Sequence, residues 1–574
     1  MPEHPHSYAF SIRHHWWFDS GLTGLYYIAA QVKGDNPKYD TVTFHEDASG
    51  LTFTGTDQEV LKEFLNDCYE HLAFKYWNVS TKKQKEDKDL VRLDVHTGKI
   101  ELIAKRNPAP IPSLFTGARS WRAEGIAYKD LPVDKKEEVD LFLKEHKRNL
   151  WGKEQLLVYE APVCHQQIEL FPVKGKKSVC SVCGQTAVCS EVSLPSFLLF
   201  ASQSATHSFN SEGKKPDKIC WECEFLGKFA VEAAHYKSSD ENLYILQIHT
   251  GNVEKNITSH KALGSQSAVR QLDPDSYRSN IGVHKMDSRL LYYGRLPFEL
   301  IWAFFHDTYG LIRDDAELRA ASSDELFKLC AKPFIETPLQ LVLLVVSSKG
   351  QTFITKELIT YTDTVYAFLL IDSLRRNFSE RPKLLGHVFQ DLYLPVRKDK
   401  PFDVSNYLWR NRILKKVLQK KSILQDVEIL AFRKSLVQAY PYLGNLIDFT
   451  THYQIIIREG SGMNKEQVDI AVKLGQQIVI SAKDASTGNF DRVKGDLFAL
   501  RKTRTVTDFL EQLNRIQFRY NITVSKQILG GILAEPDFSH EDFKDFKAYC
   551  LLGALNAYNN YKRPSKNAET VAAN

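Results

Sequence analysis

Cys180-Ser-Val-Cys183 and Cys220-Trp-Glu-Cys223 put four thiols into two short turns separated by 36 residues, and no other feature restricts the fold of this chain as much. A Cys-x-x-Cys turn can present two sulfurs to one ion, so two such turns supply the four ligands of a tetrahedral Zn²⁺. Nine cysteines, an odd number, in a chain whose first residues carry no secretory pattern favour metal over a disulfide framework. Four thiolates leave no open position for water, so the expected role of the ion is structural. The long spacer departs from autonomous fingers and ribbons and implies an embedded module, at about 164–230. A redox dithiol is the other chemistry open to Cys-x-x-Cys. Cys164-His165 and Cys189 could exchange with a ligand, but nothing in the spacing favours them. With Cys68, Cys330 and Cys550, these leftover cysteines read as small buried hydrophobes.

Around the module the pattern is α+β. Short β-rich runs (Thr41–Thr43, Leu51–Phe53, Leu156–Tyr159) alternate with helical ones (Glu59–Leu72, Lys135–His146). The polar stretch His249–Lys285 reads as surface loop, and Leu339–Val346 as a buried strand too short to span a membrane. After the break at Arg458-Glu-Gly-Ser-Gly-Met463, almost everything reads as amphipathic helix, with Val468, Ala471, Val472, Leu474, Ile478 and Val479 on one face. The expected fold is a mixed α/β N-terminal region with the embedded four-cysteine zinc module, followed by a C-terminal four-helix-type bundle. Its parts are a body over 1–455, a bundle over 463–562 and a disordered tail over 564–574. At 574 residues and 43% hydrophobic, the chain can bury several cores, and the expected location is the cytoplasm, with no membrane association.

A net charge of +5 makes no polyanion trap of the whole surface, so nucleic-acid binding requires local clusters. Lys174, Lys176 and Lys177 precede the first cysteine pair, and Lys214, Lys215 and Lys218 precede the second. One ion gathering both pairs would gather these lysines into a phosphate-binding patch. Between the pairs Gln203 and Asn210, and further on Gln266 and Asn280, are loop side chains able to read base edges. Arg492, Lys494, Arg501, Lys502, Arg504, Arg515 and Arg519 form a second basic cluster suited to tracking single strands, with Phe490, Phe498, Phe518 or Tyr520 as stacking partners. Motifs of catalysis are absent: no phosphate loop, no nucleophile elbow. His306-Asp307 is the dipeptide of metal-dependent phosphohydrolases, but it follows the apolar run Leu300–Phe305 and reads as a packed helical histidine.

The N-terminal run His15-Trp-Trp-Phe-Asp-Ser-Gly-Leu-Thr-Gly-Leu25 resembles the Trp-x-x-Asn-Ala-Gly-x-x-Gly-Leu opening of large subunits of type I CRISPR-associated surveillance complexes (Cascade). Trp16, Gly21, Gly24 and Leu25 match; Asp19 and Ser20 stand where Asn and Ala are commoner. The paired Cys-x-x-Cys module and the helical C-terminus are similar to the type I-B large subunit in particular. The resemblance implies a non-catalytic subunit that contacts the guide RNA 5′ handle, recognises the protospacer-adjacent motif in double-stranded target DNA, guides the displaced single strand and recruits the helicase-nuclease. It also implies contacts with filament-backbone, handle-capping and small subunits, and guide pairing rather than protein would read the target sequence. Met463 is one of three methionines and stands where the helical tail begins, so an internal start there would release a small subunit of about 110 residues, as type I-B systems do. Two other readings are a metal-dependent nuclease using His306 and Asp307, and a zinc-containing RNA-binding regulator outside CRISPR.

Overall fold

The computed structural model describes residues 6–76, 90–93, 99–103, 119–120, 125–126, 128–146, 157–158, 163–164, 168–192, 218–238, 242–264, 283–286, 289–314, 339–349, 352–381, 384–400, 403–438, 440–458, 462–485, 490–524 and 538–563. They fall into two compact units, one of 1–281 with 310–365, the other of 282–309 with 366–574. The sequence reading divided the chain between 455 and 463; the unit holding the C-terminal helices instead reaches back to Tyr366.

The first unit begins with β1 (His6–Ser11), α1 (Trp16–Asp35), β2 (Thr43–Glu46), β3 (Gly50–Gly55) and α2 (Gln58–Tyr76), the strands forming an antiparallel sheet ordered β1-β3-β2. Short strands follow: β4 (Leu90–Leu93), β5 (Ile100–Ile103), β6 (Arg119–Ser120) and β7 (Gly125–Ile126), then α3 (Val133–Glu145), β8 (Leu157–Val158) and β9 (Val163–Cys164). They make a sheet ordered β5-β4-β8-β7 and a separate β6-β9 pair. The cysteine module consists of β10 (Lys177–Val179), β11 (Thr186–Glu191) and β12 (Lys218–Cys220) in one antiparallel sheet, leading into α4 (Trp221–Phe229). Next come β13 (His235–Ser238), β14 (Asn242–His249) and α5 (Val253–Gly264). The chain crosses to the second unit for β15 (Val283–Met286), β16 (Arg289–Tyr293) and most of α6 (Pro297–Asp314), then returns as β17 (Gln340–Lys349) and β18 (Thr352–Tyr361). The sheet β13-β14-β17-β18 buries every residue from Leu341 to Val346, as a continuous apolar run demands of a strand covered on both faces.

α1 lies at the centre of this unit, packing on α2, α4, α5 and β14. Trp17, Phe18, Leu22 and Leu25 share one core with Phe53, Phe64, Phe225, Phe229, Leu344 and Val346. The stretch 253–264, expected as loop, is helical: α5 buries Val253, Ile257, Asn256 and His260 along one side.

The second unit is mainly helical: α7 (Thr364–Asn377), α8 (Leu384–Asp391), α9 (Leu408–Leu418), α10 (Leu424–Val437), α11 (Gly444–Arg458), α12 (Lys465–Ala485), α13 (Arg492–Lys502), α14 (Val506–Tyr520) and α15 (His540–Lys562). Capping boxes start α14, from Thr505 and Asp508, and α15, from Ser539 and Asp542, each satisfying orphan amides of the first turn. α12 and α15 cross closely enough that a Cβ on Gly475 would stand 1.8 Å from the Cys550 carbonyl oxygen. Among the described residues, α12–α15 are the helices between 463 and 562, and α15 packs on α10 and α11 as well as on α12 and α13. The tail 564–574 lies outside the described residues. No described helix is long and apolar enough to cross a membrane.

Candidate metal centre

The first knuckle is a tight turn closed by Gly184 N–H donating to the Cys180 carbonyl at 2.9 Å, with Gly184 in the left-handed region at φ 72°. Cys180 N–H in turn donates to the Gln185 carbonyl at 2.9 Å. The second knuckle is the junction of β12 and α4, which places Cys220 before the helix and Cys223 in its first turn. Ser181 N–H donates to the Lys218 carbonyl at 2.8 Å and fastens one knuckle to the other.

The four Sγ atoms lie within 4.8 Å of one another, close enough to hold one metal ion. Thiolates about 2.3 Å from a tetrahedral ion stand about 3.8 Å apart. Cys183 Sγ and Cys220 Sγ are 3.8 Å apart, and Cys220 N–H donates to Cys180 Sγ at 3.3 Å. Cys180, Cys220 and Cys223 are buried and Cys183 half-buried. Without a cation the thiols cannot all ionise: hydrogen bonds from Cys220 and Cys223 push Cys180 down, while bonding to Cys180 pushes Cys220 and Cys223 up. A divalent cation removes that conflict by stabilising all four thiolates together.

The surroundings suit an anionic cluster. Arg13 is almost wholly buried and forms an ion pair with Glu222, which also accepts from the Tyr8 hydroxyl at 2.5 Å. Burial opposes the Arg13 charge, yet Cys223, Glu222 and Cys183 outweigh it and raise its pKa. Trp221 packs its ring against Tyr8, Phe10 and Phe171 at centroid distances of 5.6, 5.9 and 4.9 Å.

The N-terminal run docks on this same helix. Trp17 Nε1 donates to the Gly227 carbonyl at 3.0 Å. A Cβ on Gly21 would stand 2.1 Å from the Leu226 carbonyl oxygen, and one on Gly24 would stand 1.9 Å from that of Phe229. Only glycine at these two positions lets α1 lie against α4. Asp19, fully buried, accepts from Arg13 N–H at 2.7 Å, His15 N–H at 2.9 Å and His249 Nε2 at 3.0 Å, which fixes the chain entering α1.

Of the knuckle lysines, Lys174, Lys176 and Lys177 are exposed, and Lys218 pairs with Glu191 at 3.0 Å. Lys214, Lys215, Gln203, Asn210, Gln266 and Asn280 lie outside the described residues. The second basic cluster divides. Arg492, Lys502, Arg504 and Arg515 are exposed, and Phe518, three residues on from Arg515 in α14, is 92% exposed. Arg501 is bound to Glu428 at 2.6 Å, Arg519 pairs with Asp496, and Lys494 lies 4.9 Å from the Tyr558 ring centroid. Phe490 stacks on Tyr558, Phe498 packs on Phe432 and Tyr520 is buried, so none of the three is presented as Phe518 is. Met463 is buried just ahead of α12. His306 is buried, with an Arg375 guanidinium nitrogen 3.5 Å from its Nε2.

Sequence reasoning missed Arg13, Tyr8 and Glu222. Glu222 was in view inside the second Cys-x-x-Cys, whereas the partners that give it a role arrive from β1 and the turn after it. No protein-family model matches the chain, and no curated protein matches it.

Proposed function

We propose that the chain is the non-catalytic large subunit of a type I-B Cascade, holding a structural Zn²⁺ on Cys180, Cys183, Cys220 and Cys223. The observation that carries this reading is the docking of the Trp-and-glycine run on the helix that bears Cys223: Gly21 and Gly24 meet α4 backbone, so the two features that prompted the resemblance form one structural element. When bound, the ion would cross-link the two knuckles, with Arg13 offsetting the negative charge of four thiolates. The exposed Lys174, Lys176 and Lys177 lie just before and at the start of β10, the strand that leads into the metal-tied turn, available to phosphates of the guide RNA handle or the target duplex. Arg492, Lys502, Arg504 and Arg515 with Phe518 offer charge and a stacking ring to the displaced single strand. Recognition of the protospacer-adjacent motif, recruitment of the helicase-nuclease, a cytoplasmic location and separate production of the helical region from Met463 belong to the same proposal.

The test is affinity purification of the tagged protein from its native host, with sequencing of bound RNA, identification of co-purifying proteins and metal analysis. Repeat-derived guide RNA with filament subunits and one zinc per chain is the expected result. A protein recovered without RNA or partners would overturn the proposal.

A further inference from the structure

The densest run of positive charge in the second unit is neither the knuckle lysines nor the α13–α14 arginines. Between Val404 and Gln425 there is no acidic residue, while Arg410, Arg412, Lys415, Lys416, Lys420 and Lys421 all occur there. Arg410 is committed inward, to Glu299 at 2.9 Å. The others are placed outward: Arg412, Lys415, Lys420 and Lys421 are exposed and Lys416 is half-buried. Arg433 on α10 is exposed too, and its guanidinium lies 5.0 Å from the Trp409 ring centroid, with that of Arg412 at 5.3 Å from the same ring. One indole thus holds two guanidiniums from neighbouring helices. Lys415 and Lys420 are likewise held against the Phe298 and Tyr366 rings, at 5.1 and 4.6 Å.

The negative charge on these two helices offsets this only in part. Asp426 and Glu428 are the only carboxylates of α9 and α10; both are buried, Asp426 bound by Arg412 and Lys416, Glu428 by Arg501. The helix macrodipole favours cations in the last turn of α9, but not Arg412 further back or Arg433 on another helix. Like charges three and four residues apart, as in Arg412, Lys415 and Lys416, destabilise a helix. Lys420 adds a left-handed backbone at φ 56°, where glycine or asparagine is the ordinary cap. A fold that keeps mutually repelling cations exposed and holds their charged heads against aromatic rings is preorganised for an external polyanion. Planar guanidinium forks suit phosphate, and Leu408 is the one exposed large apolar side chain on α9, too little for insertion into a lipid surface.

We propose that the outer face of α9, with Arg433 of α10, is a further nucleic-acid surface that grips phosphodiester groups through Arg412, Lys415, Lys420, Lys421 and Arg433. This rests on the nucleic-acid reading above and adds a surface which that reading does not contain.

The test uses the full chain, a triple variant Lys415→Gln, Lys421→Gln, Arg433→Gln that leaves Asp426 its partners, and a control variant Arg492→Gln, Arg504→Gln, Arg515→Gln. Each is titrated with labelled single-stranded RNA, single-stranded DNA and duplex DNA of equal length across a salt series, and with anionic vesicles. The expected result is weaker binding by the triple variant and a salt slope reduced by about 2 on single strands, with an unchanged unfolding midpoint. Loss on RNA alone, on DNA alone or on duplex assigns which nucleic acid the face serves. Unchanged affinity and slope in the triple variant, while the parent chain binds, would overturn this surface and leave the broader reading standing. Failure of the parent chain to bind any of the three would overturn both, and loss confined to vesicles would replace nucleic acid with membrane. If the triple variant unfolds, the single change Lys421→Glu, beyond the end of α9, decides by the same readout.

Discussion

Gly24 shows how one missing methyl group can govern a domain. Its Cα hydrogen faces the Phe229 carbonyl oxygen, and a Cβ there would stand 1.9 Å from that oxygen, a backbone atom that no rotamer change can move. Gly24→Ala must therefore push α1 off α4, opening the core shared by Trp17, Leu25, Phe225 and Phe229. Destabilisation of the first unit by on the order of 2 kcal/mol is expected, measured by urea denaturation. A variant as stable as the parent would mean that the two helices are not held this closely. His306 makes a different residue-scale prediction. Burial first, then the Arg375 charge, lower its pKa from 6.5 to about 3, so the folded chain holds the imidazole neutral. Below pH 6.5 the unfolded chain binds a proton that the folded chain refuses. The stability present above that pH is therefore lost as pH falls towards 3, by about 1.4 kcal/mol per pH unit. Between pH 7 and pH 5 the parent should lose about 2 kcal/mol more than His306→Gln. Equal losses would show that the imidazole is charged or hydrated in the fold.

At the scale of elements, α15 ties the C-terminal helices to those before them. The Leu443 amide donates to Asn556 Oδ1 at 2.9 Å, Asn559 Nδ2 donates to the Pro441 carbonyl at 3.0 Å, and Arg458 pairs with Asp545. From α13, Arg501 reaches Glu428 on α10. Cutting the chain at an engineered protease site between Arg458 and Gly462 should leave the two pieces co-eluting in size-exclusion chromatography. Separation without denaturant would mean that these contacts are too weak to hold the pieces, and would favour a freely detachable tail. The amphipathic face of α12 was legible in sequence because its buried positions, Val468, Ala471, Leu474, Ile478 and Val479, are apolar and recur once per helical turn. α5 was not. Its inward side carries Asn256, whose amide is spent on the Thr250 backbone at 2.6 and 3.2 Å, together with His260, so a core-facing side looked like loop. The four cysteines were legible as a set from spacing alone. Arg13 and Tyr8 were not, since only the return of β1 to α4 makes them neighbours of Glu222.

On the scale of the whole molecule, the cysteine cluster belongs to one unit alone. Its ligands join 180–183 to 220–223, and through Arg13, Tyr8 and α1 they reach the N-terminal sheet, all within 1–281. Among the described residues the second unit has no cluster of this kind and builds its core from helices that carry their own caps. The chain passes between units at about 282, 310 and 366, a division that no change in composition marks and that local periodicity could not have placed. A metal bound only by the folded form adds its binding free energy to the unit containing it. With the proposed Zn²⁺ in place, treating the full chain with a strong chelator should therefore expose 168–192, 218–229 and α1 to limited proteolysis, while α10–α15 stay protected. Adding zinc should bring the protection back, and a cation that does not favour four thiolates, such as magnesium, should not. If chelation left the first unit fully protected, packing around Trp17, Phe225 and the Arg13–Glu222 pair would by itself suffice to hold the knuckles together. If it exposed both units equally, their stabilities would be coupled, and the metal would set the folding of the entire chain.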